Sequence, residues 1–334
     1  MLFTFSSSCL DTRELALALE RKDLVAFAEG TRNANTKKSY GTYSKQYKEF
    51  AEERNFPLDS DVTLGSFMRA SAQRGLGRST CTSTIPSAVA DLFRYENGGN
   101  PTKTPFLKQI KKAIKLITKG STPRIAITLE ILQTLARGVN FNSFTSVRDH
   151  FLILLMMAGM LRGSEAAALE EDDIELLLVD GVEVLMIRVQ ESKTDQLRKG
   201  DTVFVGPGPD STVCPVRWFK IFVGYHRVKG APTFFHSAVP DGKIPSEIPS
   251  ICGATTNTTV KERLVQIGVD PRGYGSHSCR RGGASAAAAA NVDICLIKRH
   301  GRWLSDAVFA YVDDTLQRKL MVSDGIFSGF KAIY

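Results

Sequence analysis

Residues 147 to 160, reading VRDHFLILLMMAGM, constrain the fold more than any other stretch of the chain. The run is almost wholly apolar and of helical length, yet short of the roughly 18 residues that a membrane span needs. A helix apolar on every side cannot lie on a surface, so it is expected to run through the middle of a domain with other elements packed around it. The next residues are charged. LRGSEAAALEEDDI puts Arg162 and Glu165 three residues apart at the lip of the buried element. Such a pair reads as an ordinary helix-surface salt bridge. A guanidinium leaving a core helix is also held rigidly, as an anion site requires.

A second stretch, Ser276 to Val312, carries His277 and Arg280 as a His-x-x-Arg pair, then an Ala-rich segment, then Gly301-Arg302-Trp303, then Tyr311 on a further amphipathic segment. Three residues apart on a helix, an imidazole and a guanidinium share one face, and a guanidinium can grip a phosphate through two parallel hydrogen bonds. Alone the pair is common. Composition supplies the context: 334 residues suffice for two domains, and a net charge of +8 in a chain still 43% hydrophobic describes a folded protein with an anionic partner, nucleic acid first among candidates. Six cysteines lie scattered without C-x-x-C spacing, and the five histidines form no ligand pattern with them. Free thiols, a reducing compartment and no metal site are therefore expected. The start of the chain has no basic leader and no run is long enough for a span, so a soluble intracellular protein without a membrane partner is expected.

In chain order, residues 1–24 read as an N-terminal extension with a short helical pattern. A helix from Asn33 to about Arg54 carries Tyr40, Tyr43, Tyr47 and Phe50 at helical spacing, expected in the core, with Lys37, Lys38, Lys45 and Lys48 between them as candidates for DNA contact. Helices follow from Asp61 to about Ala72 and from about Thr84 to Arg94. In PFLKQIKKAIKLITKGSTPR, Phe106, Ile110, Ala113, Ile114 and Ile117 are expected to form a buried stripe, while Lys108, Lys111, Lys112 and Lys115 crowd the other faces. Seven basic residues and no acidic one stand between Lys103 and Arg124, so the segment repels itself unless an anion lies alongside or water solvates the face. The loop-like Gly120 to Pro123 places the domain boundary, giving a helical DNA-binding domain over 25–120 and a second domain over 121–334. In the latter, Thr128 is expected to cap a helix. Three strand-like runs begin at Ile174, Val182 and Asp201, joined by Asp180-Gly181 and by Glu191 to Gly200, whose turn presents Lys193 and Lys199. The fold class is thus mainly α with a small antiparallel β-sheet.

Arg162 with Glu165, a lysine in a β-hairpin turn, His-x-x-Arg, Gly-x-Trp and a tyrosine stand in that order behind a Lys-rich helical domain. Over roughly residues 30 to 320 this resembles the tyrosine recombinase (phage integrase) family. The phrases CPVR, SKTDQ, GSHSCRRGGAS and GRWLSDAVFAYV look closest to recombinases of DIRS- and Crypton-type mobile elements. The resemblance implies a two-domain clamp on double-stranded DNA, with a helical core-binding domain, a catalytic domain and strand exchange by a homotetramer on paired sites. In a eukaryotic host it would work in the nucleus. It also implies roles: Tyr311 as nucleophile forming a 3′-phosphotyrosine, Arg162 and Arg280 on the phosphate oxygens, His277 as a further donor, Lys193 as general acid with Lys199 its rival, and Glu165 as a support, with no cofactor. The family's last phosphate-contacting residue stands nine positions before the tyrosine, which lands on Arg302. Counting forward from Arg280 reaches Trp303, which is preferred here, leaving Arg302 facing solvent or the DNA backbone. Two alternatives remain open: a type IB topoisomerase-like relaxing enzyme, and a domesticated DNA-binding protein that does not cut.

Overall fold

The computed structural model describes residues 12–30, 34–95, 99–120, 122–191, 199–225, 228–238, 245–314 and 316–327. Its contacts divide the chain into two units, 1–122 and 123–334.

In the first unit α1 (Thr12–Gly30) precedes α2 (Ala34–Glu53), α3 (Asp61–Gln73), a π-helical turn over Thr80–Thr84 that runs into α4 (Ile85–Leu92), and α5 (Pro105–Ile117). The aromatic stripe of α2 turns inward at Tyr47 and Phe50, whose rings meet Phe67 of α3 at 5.6 and 5.2 Å. The buried Tyr47 hydroxyl donates to Leu58 O at 2.7 Å, which satisfies its one polar atom. Helix starts coincide with side-chain caps: Ser60 Oγ accepts from Val62 N–H and Thr104 Oγ1 from Leu107 N–H. On α5 the buried face differs from the expected one. Leu107 and Ile114 are buried and Ile110 is half-buried, whereas Phe106, Ala113 and Ile117 are exposed. The buried line runs through 107, 110 and 114, at the i, i+3, i+7 spacing of one face.

The second unit is built on α7 (Phe144–Ala158), with ten buried residues between Val147 and Met157. Ahead of it stands α6 (Leu129–Arg137), where Thr128 Oγ1 accepts from Ile131 N–H. After it come α8 (Gly163–Ala168) and the antiparallel strands β1 (Ile174–Val179), β2 (Val182–Val189) and β3 (Asp201–Val205), in that order in one sheet. Asp180 and Gly181 both have positive φ, 50° and 79°, as the tight turn of a right-twisted hairpin requires, and they set the Val179↔Val182 to Ile174↔Ile187 register. Leu185, Ile187, Val189, Val203 and Val205 give the sheet its core face. The chain continues through α9 (Pro215–Tyr225), α10 (Gly253–Gln266), α11 (Ser276–Ala289), α12 (Ile294–His300) and α13 (Leu316–Phe327). Among the described residues no helix is long and apolar enough to cross a membrane.

One polar residue of α7 is as buried as its neighbours. His150 lies fully covered with its ring 4.3 Å from that of Trp218, and burial first, then the Arg263 guanidinium, hold its pKa down at about 3, against an ordinary 6.5. A base with a lowered folded pKa stays neutral in the fold while the unfolded chain takes a proton. Its contribution is therefore full above about pH 6.5 and is lost as pH falls toward 3. Denaturant melts of wild type should thus lose up to about 1.4 kcal/mol per pH unit more than melts of His150→Phe across this window. Parallel pH profiles for the two proteins would show that His150 does not carry this dependence.

Candidate active site

The site begins where α7 ends. A helix leaves its last carbonyls without partners inside the helix, and its C-terminus attracts positive charge. Here the side chains that meet those carbonyls come from α11 and the end of α12. His300 Nε2 lies 2.8 Å from Ala158 O, Arg302 donates to Gly159 O at 3.3 Å and to Met160 O at 3.2 Å, and Arg280 Nη1 donates to Met160 O as well. Arg280 Nη2 donates to Gly301 O, tying α11 to the end of α12. The helices approach this closely because of glycine: a Cβ on Gly283 would fall 2.2 Å from Met157 O, and one on Gly282 2.1 Å from Ile127 O.

On the other side of the α7 terminus, Arg162 starts α8. Glu165 Oε2 accepts from the Arg162 backbone N–H at 2.9 Å and from Arg302 Nη2 at 2.8 Å, while Oε1 accepts from the Arg162 guanidinium. The Glu165 side chain is only 1% exposed. A Cβ on Gly163 would meet Thr256 Oγ1 at 2.3 Å and Ser276 Cβ at 2.9 Å, so the first turns of α8, α10 and α11 converge beside Arg162 and His277.

Charge in this cluster does not balance. Arg162, Arg280 and Arg302 surround the single Glu165 carboxylate. Burial alone would raise the Glu165 carboxyl, but Arg302, the Arg162 backbone N–H and the Arg162 guanidinium outweigh it and hold the group below the ordinary carboxylate range. Burial first, then the neighbouring Arg162 charge, push the Arg280 guanidinium below its ordinary value. Three guanidiniums against one carboxylate leave positive charge in excess at a poorly solvated place, which an incoming anion relieves.

Aromatic rings complete the cluster. The Arg280 guanidinium carbon lies 4.1 Å from the centroid of the Trp303 ring and 5.7 Å from that of Tyr311, and the two rings are 5.1 Å apart. Arg280 is fully covered, with both Nη groups donating to carbonyls, whereas the Arg162 side chain keeps 14% exposure, Tyr311 is half-buried and His277 is exposed. The Tyr311 hydroxyl lies 3.5 Å from His277 Nδ1. Tyr311 ends a single 3-10 turn, Asp306–Ala310, in the segment expected to be amphipathic, where Val308 is buried and Phe309 exposed. The turn opens on a Ser305 cap and spans only five residues.

Arg162, Glu165, His277, Arg280, Trp303 and Tyr311 are thus brought together, and Arg302 with them. Arg302 corrects the expectation from spacing: it does not face solvent but is 7% exposed and bound to Glu165 and to the end of α7. The reason lies in its backbone. At φ 58°, Arg302 stands in the left-handed position just past Gly301 at the end of α12, which turns its side chain inward. Sequence spacing also passes over Gly163, Gly282 and Gly283. For Gly282 and Gly283 the one signal is a Gly-Gly pair inside a helical pattern, which opposes helix propensity and so points to close packing. Lys193 lies outside the described residues, and Lys199 is exposed two residues before β3. In the first unit Lys37, Lys38, Lys45, Lys108, Lys112 and Lys115 are exposed, with Lys45 3.8 Å from Glu49. Lys111 is half-buried, and burial first, then Lys115, lower its pKa.

No family model matches the chain. Among curated proteins it is similar to an integrase/recombinase xerD homolog of Selenomonas ruminantium, at 27% identity over 220 residues, 64% of this chain and 61% of that protein. Among solved structures it resembles the XerH site-specific recombinase bound to palindromic difH substrate in a post-cleavage complex, with a TM-score of 0.56 and 15% identity over 80% of this chain and 72% of the other. A lambda integrase dimer bound to a COC′ core site gives 0.56 and 15% over 89% and 76%. The Tn1549 transposon integrase in complex with transposon right end DNA gives 0.55 and 13% over 89% and 95%.

Proposed function

We propose that the chain is a tyrosine recombinase, a site-specific enzyme that cuts and rejoins double-stranded DNA through a 3′-phosphotyrosine at Tyr311, a reading supported by its similarity in sequence to an integrase/recombinase and in fold to XerH and lambda integrase. The observation that carries this reading is the unbalanced cluster: three guanidiniums around one carboxylate, with a phenol and an imidazole 3.5 Å apart beside it. A phosphodiester under attack gathers charge on its non-bridging oxygens, and a preset cationic site stabilises that charge without having to reorganise. Arg162 and His277 are the donors with exposed edges. Arg280 contributes its charge from beneath the rings, and Trp303 covers it. The Tyr311 phenol attacks phosphorus as its proton leaves, His277 Nδ1 being near enough to take it, and the 5′-oxygen departs. The phosphotyrosine keeps the energy of the broken bond, so rejoining needs no ATP.

Lys193, carried over from the resemblance, is the general acid of this scheme. The exposed lysines of α2 and α5 supply phosphate contacts, so affinity falls steeply with salt. Four protomers on two sites form the active assembly, which in a eukaryotic host works in the nucleus. The chain's apolar tail, with Leu316, Leu320 and Met321 exposed, is a candidate contact between copies.

The test is incubation with nicked suicide duplexes drawn from the DNA flanking the chain's own gene, with denaturing electrophoresis as the readout. A protein–DNA adduct supports the reading. Tight binding with no adduct on any flanking end favours a protein that holds DNA without cutting it. On the same substrates, Lys193→Ala should slow adduct formation by about 100-fold or more and regain it when sulfur replaces the 5′ bridging oxygen, since a thiolate leaves without protonation. Rescue of Lys199→Ala in place of Lys193→Ala would exchange the two roles.

A further inference from the structure

The backbone around Tyr311 is held by three side chains that the proposed chemistry does not use. Arg281 follows Arg280 on α11 and turns about 100° away from it around the helix. Its Nε donates to Asp313 Oδ2 at 2.8 Å, its Nη2 to Asp313 Oδ1 and its Nη1 to Ala310 O. One turn further along the same face, Ser285 Oγ donates to Tyr311 O at 3.2 Å and accepts from the Asp313 N–H at 2.9 Å. Residues 310, 311 and 313 are therefore all fixed to one face of α11, the helix that also carries Arg280 and His277. The Arg281 side chain is 14% exposed and Asp313 is 53% exposed, so the pair lies at the edge of the fold with its carboxylate open to solvent.

We propose that Arg281, Ser285 and Asp313 are positioning residues that register the nucleophile's segment against α11, so that the Tyr311 hydroxyl and the cationic cluster keep a fixed separation. The 3-10 turn before Tyr311 spans only five residues; Val308 anchors it in the core while Phe309 is exposed, so burial pins the turn at one point and leaves the height and rotation of residues 310 to 313 to polar contacts. The bidentate Arg281–Asp313 pair and the two Ser285 hydrogen bonds set both the height and the rotation of the segment. A misplacement of about 1 Å at a reacting group can slow a reaction by about 100-fold, which is the scale on which such a clamp matters.

This inference rests on Tyr311 being the nucleophile, and its experiment separates the two ideas. Adduct formation on a nicked suicide duplex is followed in single turnover at saturating DNA for wild type, Asp313→Ala, Arg281→Ala, Ser285→Ala and the swap Arg281→Asp/Asp313→Arg, alongside DNA affinity and thermal melting. Asp313→Ala and Arg281→Ala should each lower the rate about 10- to 100-fold with affinity and melting nearly unchanged. Their combination should be no slower than either, and the swap should regain at least tenfold over the slower single variant. Asp313 is half-exposed, so its truncation leaves no buried cavity and keeps the test decisive even if Arg281→Ala folds poorly. Wild-type adduct with Asp313→Ala within twofold of it overturns the clamp alone. A rate loss matched by equal losses in affinity or melting, or a swap as slow as the single variants, overturns it too. No adduct from wild type overturns the clamp together with the recombinase reading.

Discussion

Tyr311→Phe is expected to fold and bind DNA as wild type does and to form no covalent adduct at all. The substitution removes a single hydroxyl whose near neighbour is His277 Nδ1 at 3.5 Å, a long contact at an exposed edge, so the loss of stability should stay under about 1 kcal/mol. The ring contacts survive, because Trp303 at 5.1 Å and Arg280 at 5.7 Å meet the aromatic face and not the oxygen. Binding is expected to survive for the same reason, since affinity comes from cations on phosphates. Denaturing electrophoresis after incubation with a nicked duplex reads the adduct, and a titration on intact duplex reads affinity. An adduct from the phenylalanine variant would mean that another tyrosine attacks, and would empty the cluster around Arg280 of its assigned role.

The features legible in the sequence are those whose cause is local. The α7 run is apolar on all sides and can only be a core helix, and it is one: Phe151, Leu152 and Ile153 are all fully covered. Strand runs rich in β-branched residues with Asp180-Gly181 between them give the β1–β2 hairpin. The order of Arg162, His277, Arg280 and Tyr311 marks residues that the fold gathers at the end of α7. The features that could not be read depend on tertiary contacts. On α5 the apolar residues cover more than one face, and which part is buried is settled by α3, where Gly65 leaves room for Ile110 and for one edge of Phe106. Arg302 lies in KRHGRW, a basic run that reads as a solvated surface. Only the left-handed turn after α12 and the unpaired carbonyls at the end of α7 make its interior place intelligible. The Gly282-Gly283 pair belongs to the same class, since its meaning is the distance to backbone elsewhere in the chain.

Arg302→Ala should act on stability and not on DNA affinity. Taken as a surface cation, Arg302 would contribute one phosphate contact, and its loss would weaken binding while leaving the melt alone. The structure gives it a different role. Its side chain is 5% exposed, its Nη2 donates to a Glu165 that is 1% exposed, and its guanidinium also serves Gly159 O, Met160 O and His300 O. Removing one partner of a buried ion pair strands the other, and such losses run to about 3–5 kcal/mol. Arg162 remains on Glu165 and softens the loss, so the lower end of that range is expected, with a fall in melting temperature on the order of 10 °C. Cleavage should fall with it, because Glu165 then holds Arg162 alone and Arg280 is left as the one of these guanidiniums at the end of α7, beside His300. Arg302→Gly separates backbone from side chain: glycine is at ease at φ 58°, so it should be more stable than Arg302→Ala by up to about 1 kcal/mol while losing the same ion pair. The measurements are thermal melts of both variants and DNA titrations well below the lower melting temperature. An Arg302→Ala protein that melts with wild type and merely binds DNA less tightly would place the guanidinium at the DNA surface, and the three-arginine account of the site would fail.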